Sequence, residues 1–580
     1  MANTLSQPQQ WLAMPELSVA VPVAVALLSP FLLTYAYTSF RYFLALYSDG
    51  PTPATPPYFV PMLGHTIPFG FDTDRYLRSL RSRFGQNPVR LLVGSDILTF
   101  VPHGEMIQTL FKSREVNGKA MAIKSISAFG YKGEDLKLLD ADNSGTLPSP
   151  NPGFEDWPPE KRFWFTNYRA MHGLLQGATL VDMLSKFIEK YTARVEGKGV
   201  GFDEWTTIDD LFGMMKDDLF HAAMQALCGD HVFEVAPDMA ENFWKFDSSL
   251  PTIFKKVPRW LAPSAHAARD RVLGDIKKYL DYADEHFDWN NEELVDCDWE
   301  PIYGAKLMRV RQQIFRKIGQ RKEAGPAAEL GLIWATNSNV IPTAFWTVLG
   351  ILKSESLKAR AVAEIDEAFQ GNTAMAAAEK LCSSKLSMSM YHESLRYAVG
   401  VMTVRSPNAD GYRIGRWGFK KSDILVTSSW AGHRDETFWN TGRILPDGTD
   451  EYPVNTWWAE RFLEYPSDPA SGPVRKPDPA IYRTEKKAVR THEDDKRATV
   501  VTAGTSGHSF PYGGGIKICP GRFFAKNEMI AGAAMLLRMY DIELVDPVAA
   551  SKVGLNMHFF PFGALPPDGK VAVRIRRRKL

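Results

Sequence analysis

The chain has 580 residues, 45% of them hydrophobic, and a formal charge of +1. That length and apolar content can bury a large core, while the near-zero charge argues against a nucleic-acid binder, which would carry a basic surplus. Four scattered cysteines, Cys228, Cys297, Cys382 and Cys519, show no paired metal-ligand spacing; this excludes a disulfide scaffold, speaks against a zinc cluster and fits a reducing, cytosol-facing compartment.

The first 16 residues are a short tail without Lys or Arg, and Leu17 to Phe40 is an uncharged run of mostly Val, Ala, Leu and Phe. The run is long enough to span a bilayer and is read as a transmembrane anchor over 17–40. A cleaved signal peptide would have a basic leading region and a shorter apolar core. Pro22 and Pro30 are tolerable in a membrane helix. Arg41 follows the run with nothing basic before it, which favours an outside N-terminus and a large domain facing the cytosol. Pro51, Pro53, Pro56, Pro57 and Pro61 make 41–62 a stiff, extended hinge.

Residues 63–580 read as one catalytic domain. Apolar residues recur at helical spacing around Leu180–Tyr191, Leu211–Leu227, Arg269–Phe287, Tyr303–Arg321 and Ala327–Lys353, and strand-like runs occur near Val89–Val93, Ile97–Val101 and Asp423–Ser428. The expected fold is therefore mainly α with small β-sheets, of the α+β class. Within the 327–353 segment Pro342 cannot donate to the Ser338 carbonyl, so the helix is expected to distort beside Ser338 and Asn339. Further on, Glu393 and Arg396 stand three apart in a helical segment and share a face. The tract 465–497, rich in Pro, Asp, Lys and Arg, reads as a solvated surface insertion.

The string Phe510-Pro511-Tyr512-Gly513-Gly514-Gly515-Ile516-Lys517-Ile518-Cys519-Pro520-Gly521-Arg522 carries the most chemistry. A glycine-rich turn, here with Gly513 and Gly515, lets the backbone lie close to a flat cofactor and aim amide groups at a sulfur. Pro520 sits where a first helical turn tolerates the missing N–H, and a helix N-terminus favours a thiolate. A cysteine held in this way is the axial ligand that haem iron needs for oxygen activation.

This string resembles the haem-binding loop of the cytochrome P-450 superfamily, with Tyr512 where the family usually has Phe or Trp. Glu393-x-x-Arg396, Ala431-Gly432-His433-Arg434-Asp435 and Trp457-Trp458-Ala459-Glu460-Arg461-Phe462 resemble that family's motifs in order and spacing. The resemblance implies the family's haem-enclosing helical fold, haem b ligated by Cys519, and a structural network of Glu393, Arg396 and Arg461. It also implies that Arg405 pairs a haem propionate and that Lys517, the basic residue two before Cys519, binds the cofactor. A family Trp-x-x-x-Arg pattern has no match, since Trp164, Arg169 and His172 do not fit its spacing.

Most of the superfamily has an acid followed by a threonine on the helix over the haem, a pair that relays protons for O–O cleavage. Here Ser338 and Asn339 occupy those positions and are the candidate catalytic residues. The pattern Ala335-Thr336-x-x-Asn339-x-x-Pro342-x-x-Phe345-Trp346 is similar to the branch of sterol 7α-hydroxylases and prostacyclin synthase. The resemblance implies a membrane-anchored monooxygenase of the endoplasmic reticulum. It would act on a sterol, terpenoid or related polycyclic natural product, in a biosynthetic pathway, with O2 and with electrons from NADPH through a separate reductase. The same branch leaves open a reductase-independent isomerase or dehydratase acting on a lipid peroxide. A haem sensor without turnover is a third class. Val401, Met402, Trp334, Ala335 and Thr343 are expected to line the pocket.

Overall fold

The structure, a computed structural model, describes residues 15–47, 50–102, 104–483 and 489–580. The tail 1–14, two hinge residues and part of the tract 465–497 lie outside the described residues. The chain divides into two compact units, one formed by Met1–Pro102, Glu115–Asn117 and Val404–Thr427, the other by the remainder.

In the first unit, helix α1 spans Pro15–Leu46 and runs through Pro22 and Pro30. Its Pro22–Leu46 portion has a mean hydropathy of 1.5 and is long and apolar enough to cross a membrane; Leu27, Leu32 and Leu33 are more than half exposed along it. The helix continues six residues past the expected boundary at Phe40, because Arg41 lies along it and donates to the Tyr37 hydroxyl at 3.3 Å. The proline segment that follows is docked on its own unit. Tyr58 N–H donates to Thr38 Oγ1 at 3.2 Å, Tyr35 stacks on Phe59 at 4.1 Å, and the carbonyls of Ala54 and Pro51 accept from Arg90 and Gly418. Strands β1 (Val89–Val93) and β2 (Asp96–Phe100) pair antiparallel. Strand β3 (Val116–Asn117) pairs antiparallel with the end of β4 (Val399–Pro407), Val116 opposite Pro407, while β5 (Ile424–Ser428) runs parallel to β2 with Ile424 opposite Leu98.

The second unit is a helical body. Its elements relevant to function are α2 (Glu105–Lys112), α3 (Phe163–Leu174), α4 (Ala178–Glu196), α5 (Leu211–Cys228), α6 (Met239–Phe254) and α7 (Pro263–His286). They are followed by α8 (Lys306–Ile318), α9 (Gly325–Asn337), α10 (Val340–Leu352), α11 (Lys385–Ala398) and α12 (Arg522–Met539). Helix α4 buries Leu180, Met183, Leu184, Phe187, Ile188 and Tyr191, the one-faced spacing of a surface helix. Every residue of α10 except Gly350 is buried, as a central core helix requires. Strand β6 (Phe562–Ala564) pairs antiparallel with the start of β4, Phe562 opposite Val401. The C-terminal strand 573–577 lies between 540–544 and 206–208 in a second antiparallel sheet.

Glu393, Arg396 and Arg461 are wholly buried and meet. Arg396 grips the carboxylate with two bonds, Nε to Oε2 at 2.7 Å and Nη2 to Oε1 at 2.8 Å. Arg461 Nε reaches both oxygens at 3.2 and 3.1 Å, and Trp458 N–H adds a bond to Oε1 at 2.9 Å. The remaining guanidinium protons go to backbone carbonyls, those of His433 and Val454 from Arg396 and that of Asn440 from Arg461. Burial by itself would raise the Glu393 pKa, but the two arginines outweigh it and hold the carboxyl below its usual range. Arg461 is drawn down to about 10 by burial.

Part of the tract 465–497 is likewise built into the body. Tyr465, Tyr482 and Asp495 are at most 4% exposed, and Asp495 accepts Nε and Nη2 of Arg360, each at 2.8 Å. Composition alone does not show these anchors, because the partners lie far away in sequence. Removing one member of a buried, paired charge network destabilises by roughly 3–5 kcal/mol. Glu393→Gln is therefore expected to lower unfolding stability by roughly that amount, measured by chemical denaturation, and by far more than Lys137→Gln, which removes an exposed pair.

Candidate active site

The loop before α12 is shaped by what lies behind it. Gly513 and Gly515 have φ of 69° and 66°, conformations that a residue with a Cβ adopts only under strain. A Cβ on Gly514 would lie 2.2 Å from the Phe111 ring and one on Gly515 1.7 Å from the Phe111 carbonyl, so α2 presses directly on the loop backbone. Gly515 is nonetheless exposed: one side of the loop rests on Phe111 and the other stays open, as a flat ligand requires. The turn closes through Gly513 N–H to Phe510 O at 3.0 Å and Cys519 N–H to Tyr512 O at 3.0 Å. Tyr512, the residue that departs from the family aromatic, uses its added hydroxyl to accept from Tyr391 of α11 at 3.0 Å.

Helix α12 begins at Arg522 with Gly521 at its N-cap, so Pro520 precedes the cap instead of occupying the first helical turn. The offset turns the N–H groups of Gly521 and Arg522 toward the Cys519 sulfur. Burial pushes the Cys519 thiol up, while these N–H groups and the Arg522 charge pull it down without fully offsetting burial. A bound metal cation would supply the missing charge and favour the thiolate. A half-buried sulfur with two backbone donors behind it fits an iron-bound thiolate.

Beside the loop, α3 contributes residues that sequence reasoning did not bring together. Tyr168 donates to the Ile516 carbonyl, Lys517 Nζ bonds Thr146 Oγ1 and stands 5.2 Å over the Tyr168 ring, and the His172 ring lies 4.2 Å from Tyr168. His172 Nε2 is buried with no hydrogen-bond partner. Its pKa is lowered by burial first and then by the Arg522 and Lys517 charges. An orphaned ring nitrogen facing two cations is a donor set that an anionic carboxylate, such as a haem propionate, would complete. The i,i+4 spacing of Tyr168 and His172 was the available signal. Trp164 instead bonds the Leu139 carbonyl, and Arg169 is exposed. Arg405 belongs to the first unit, where it is 8% exposed, donates to the Val404 carbonyl at 2.9 Å, and is brought to about 10 by burial.

The long helix breaks where Pro342 predicts: α9 ends at Asn337 and α10 starts at Val340. Asn339 bridges the break, its Oδ1 accepting from Ala564 N–H of β6 at 3.0 Å and its carbonyl from Thr343 Oγ1 at 2.5 Å. Thr343 is therefore 1% exposed and not a pocket residue. Asn339 Nδ2 makes one long bond to Ala335 O at 3.4 Å, which leaves its second proton available to a ligand. Ala335 is exposed on a helix of otherwise mostly buried residues. Ser338 Oγ donates to Asp247 of α6 at 2.6 Å, and Trp334 Nε1 donates to the same carboxylate oxygen at 3.0 Å.

No family model matches the chain. The chain is 31% identical over 546 residues to cytochrome P450 monooxygenase efuG of Hormonema carpetanum, covering 92% of this chain and 90% of that one. It is 21% identical over 430 residues to the 25-hydroxycholesterol 7-alpha-hydroxylase of Rattus norvegicus, covering 70% and 87% respectively. Among solved structures, the retinoic acid-bound cyanobacterial CYP120A1 superposes with a TM-score of 0.58 at 15% identity, over 92% of this chain and 100% of that chain.

Cys519→Ser is expected to abolish the thiolate-type spectrum of the reduced carbonyl complex. Gly515→Ala, for which the left-handed backbone by itself costs roughly 1–2 kcal/mol, is expected to lower the haem-to-protein ratio on purification while Cys382→Ser leaves it unchanged.

Proposed function

We propose, from the premise that the chain belongs to the cytochrome P450 monooxygenases, that it hydroxylates a lipophilic sterol, terpenoid or related polycyclic substrate in a biosynthetic pathway. The reaction is RH + O2 + NADPH + H+ → ROH + H2O + NADP+, with a separate NADPH-dependent reductase delivering the electrons. The observation that carries this reading is Cys519 at the edge of a glycine cradle, its sulfur met by the N–H groups of Gly521 and Arg522. When bound there, haem supplies reduction of dioxygen and insertion of one oxygen atom into a C–H bond.

The residues of this chain divide the remaining work. Cys519 would ligate the iron, Gly513 and Gly515 would admit the macrocycle, and Lys517 and His172 would pair its propionates. Asn339 donates from Nδ2 to a ligand at the helix break, with Ser338 beside it. Val401 and Met402, both partly exposed, contact substrate. The exposed apolar face of α1 supports a single membrane anchor, with the catalytic body on the cytosolic side of the endoplasmic reticulum. A similar sterol hydroxylase supports the substrate class.

The test is NADPH oxidation by purified protein with a microsomal reductase, against sterols, terpenoids and lipid hydroperoxides. Substrate-dependent NADPH use with an oxygenated product supports the monooxygenase; hydroperoxide loss without NADPH use replaces it with the rearranging reaction. Asn339→Ala is expected to lower product formation on the order of 100-fold if its amide assists proton or oxygen handling. Stability should fall by only about 1–3 kcal/mol, the cost of leaving Ala564 N–H unpaired.

A further inference from the structure

We propose that Asp247 is the acid of this site: its carboxyl, carried on α6 and bonded to Ser338 at the break between α9 and α10, holds the proton that Ser338 passes on for dioxygen reduction. The inference rests on the monooxygenase reading, because only dioxygen reduction consumes protons.

From Leu332 to Phe345 the helix over the site has no carboxylate of its own. The nearest acid upstream, Glu329, is wholly buried and committed to Arg311 at 2.9 Å and Gln312 at 2.8 Å. Asp247 arrives from a different helix and reaches the position where an acid is missing. It is 8% exposed, in a wall that contains Phe129, Phe246, Phe254 and Trp334, with Phe129 5.6 Å from Trp334 and 6.2 Å from Phe246. A carboxylate in such surroundings is normally paired with a cation. Here both of its hydrogen bonds come from uncharged donors, Ser338 and Trp334, and both fall on Oδ1. Structural pairing does not account for that arrangement; a group that must gain and lose a proton does.

Ser338 is suited to the transfer. A hydroxyl both donates and accepts, so Ser338 Oγ can take a proton from Asp247 as its own O–H proton moves on. It stands where the backbone ladder is interrupted by Pro342. Each turnover takes up two protons to release one atom of dioxygen as water. For each, the Ser338 hydroxyl turns, Asp247 gives its proton to Ser338 Oγ, the Ser338 O–H proton passes to the oxygen being reduced, and Asp247 is protonated again from solvent.

Burial pushes the Asp247 carboxyl up to about 6, with Ser338, Trp334 and the field of Lys216 on α5 pulling the other way. A general acid works best with a pKa near the working pH. Among the other titratable groups on elements packed against α6, Asp217 and Asp218 of α5 pair with Arg194 and Lys198, His221 bonds the Asp217 carbonyl, and Arg269 of α7 donates to the Ala128 carbonyl. Asp275 of α7 accepts from Asn242 and Lys278, His558 bonds the Ser248 carbonyl, and Lys119 bonds Asn143. Lys124 is the other basic residue on the 119–128 helix.

The experiment compares wild type, Asp247→Asn and Asp247→Glu as reductase-coupled holoenzymes. It measures product formed per NADPH oxidised as a function of pH, together with substrate Kd from spectral titration. In wild type that ratio is expected to fall as pH rises through about 6. In Asp247→Asn it should be at least about tenfold lower, without that inflection, with the lost electrons recovered as hydrogen peroxide and Kd unchanged. Asp247→Glu is expected to restore the inflection. An unchanged ratio in Asp247→Asn overturns the proposal. So does a raised Kd with an unchanged ratio, which would make Asp247 a substrate anchor.

A second readout needs no turnover. The folded carboxyl titrates above its ordinary 3.8, so its contribution to stability is present below that value and lost as pH rises through about 6. The Tm of wild type relative to Asp247→Asn should decline across that interval. A flat Tm difference overturns the proposal and leaves the monooxygenase reading standing, whereas a wild type that converts hydroperoxides without NADPH overturns both.

Discussion

Two backbone N–H groups aimed at one sulfur set the terms for the rest of this protein. A thiolate in a half-buried site is unfavourable unless hydrogen bonds and a cation stabilise it. Gly521 and Arg522 can donate only because α12 starts at Arg522 and leaves its first N–H groups unpaired. The loop that delivers Cys519 is pinned against α2 so closely that neither Gly514 nor Gly515 has room for a side chain. Tyr512 ties the same loop to α11 through Tyr391.

Helix α11 links that loop to the buried charge network. Its Glu393 and Arg396 are held by Arg461 and by carbonyls of the 433–456 segment. The glycine cradle and the network are thus linked through α11. Buried ion pairs of this kind contribute modest net stability relative to apolar packing, yet losing one partner is severe. Their effect here is to determine where the chain before and after the network must lie.

The break between α9 and α10 follows a different principle. Pro342 removes one helical hydrogen bond and the helix divides into α9 and α10. Side chains at the break bond distant segments: Asn339 Oδ1 accepts from Ala564 N–H, and the Ser338 hydroxyl donates to Asp247. A side chain that spans a break in this way is both structural and exposed to ligand chemistry, so the two roles of Asn339 are compatible. The apolar helix α1 needs no such device, since its backbone is satisfied internally and its exposed Leu, Val and Phe side chains suit a lipid surrounding.

What the sequence determined by itself is local. Strands β1 and β5, helices α4 and α5, the break at Pro342, and the placing of Cys519 after three glycines all follow from periodicity, from proline lacking a donor, or from the backbone freedom of glycine. The family came from a continuous string around Cys519 for the same reason: its chemistry lies within a dozen consecutive residues. Only the tertiary structure decided which distant groups complete the site. Asp247 lies 91 positions from Ser338, and Ala564 is 225 from Asn339. Tyr168 and His172 meet Lys517 and Arg522 across a gap of more than 300. No pattern in one segment encodes such meetings. They arise from the summed packing of helices whose apolar faces are interchangeable in sequence and distinct only in shape.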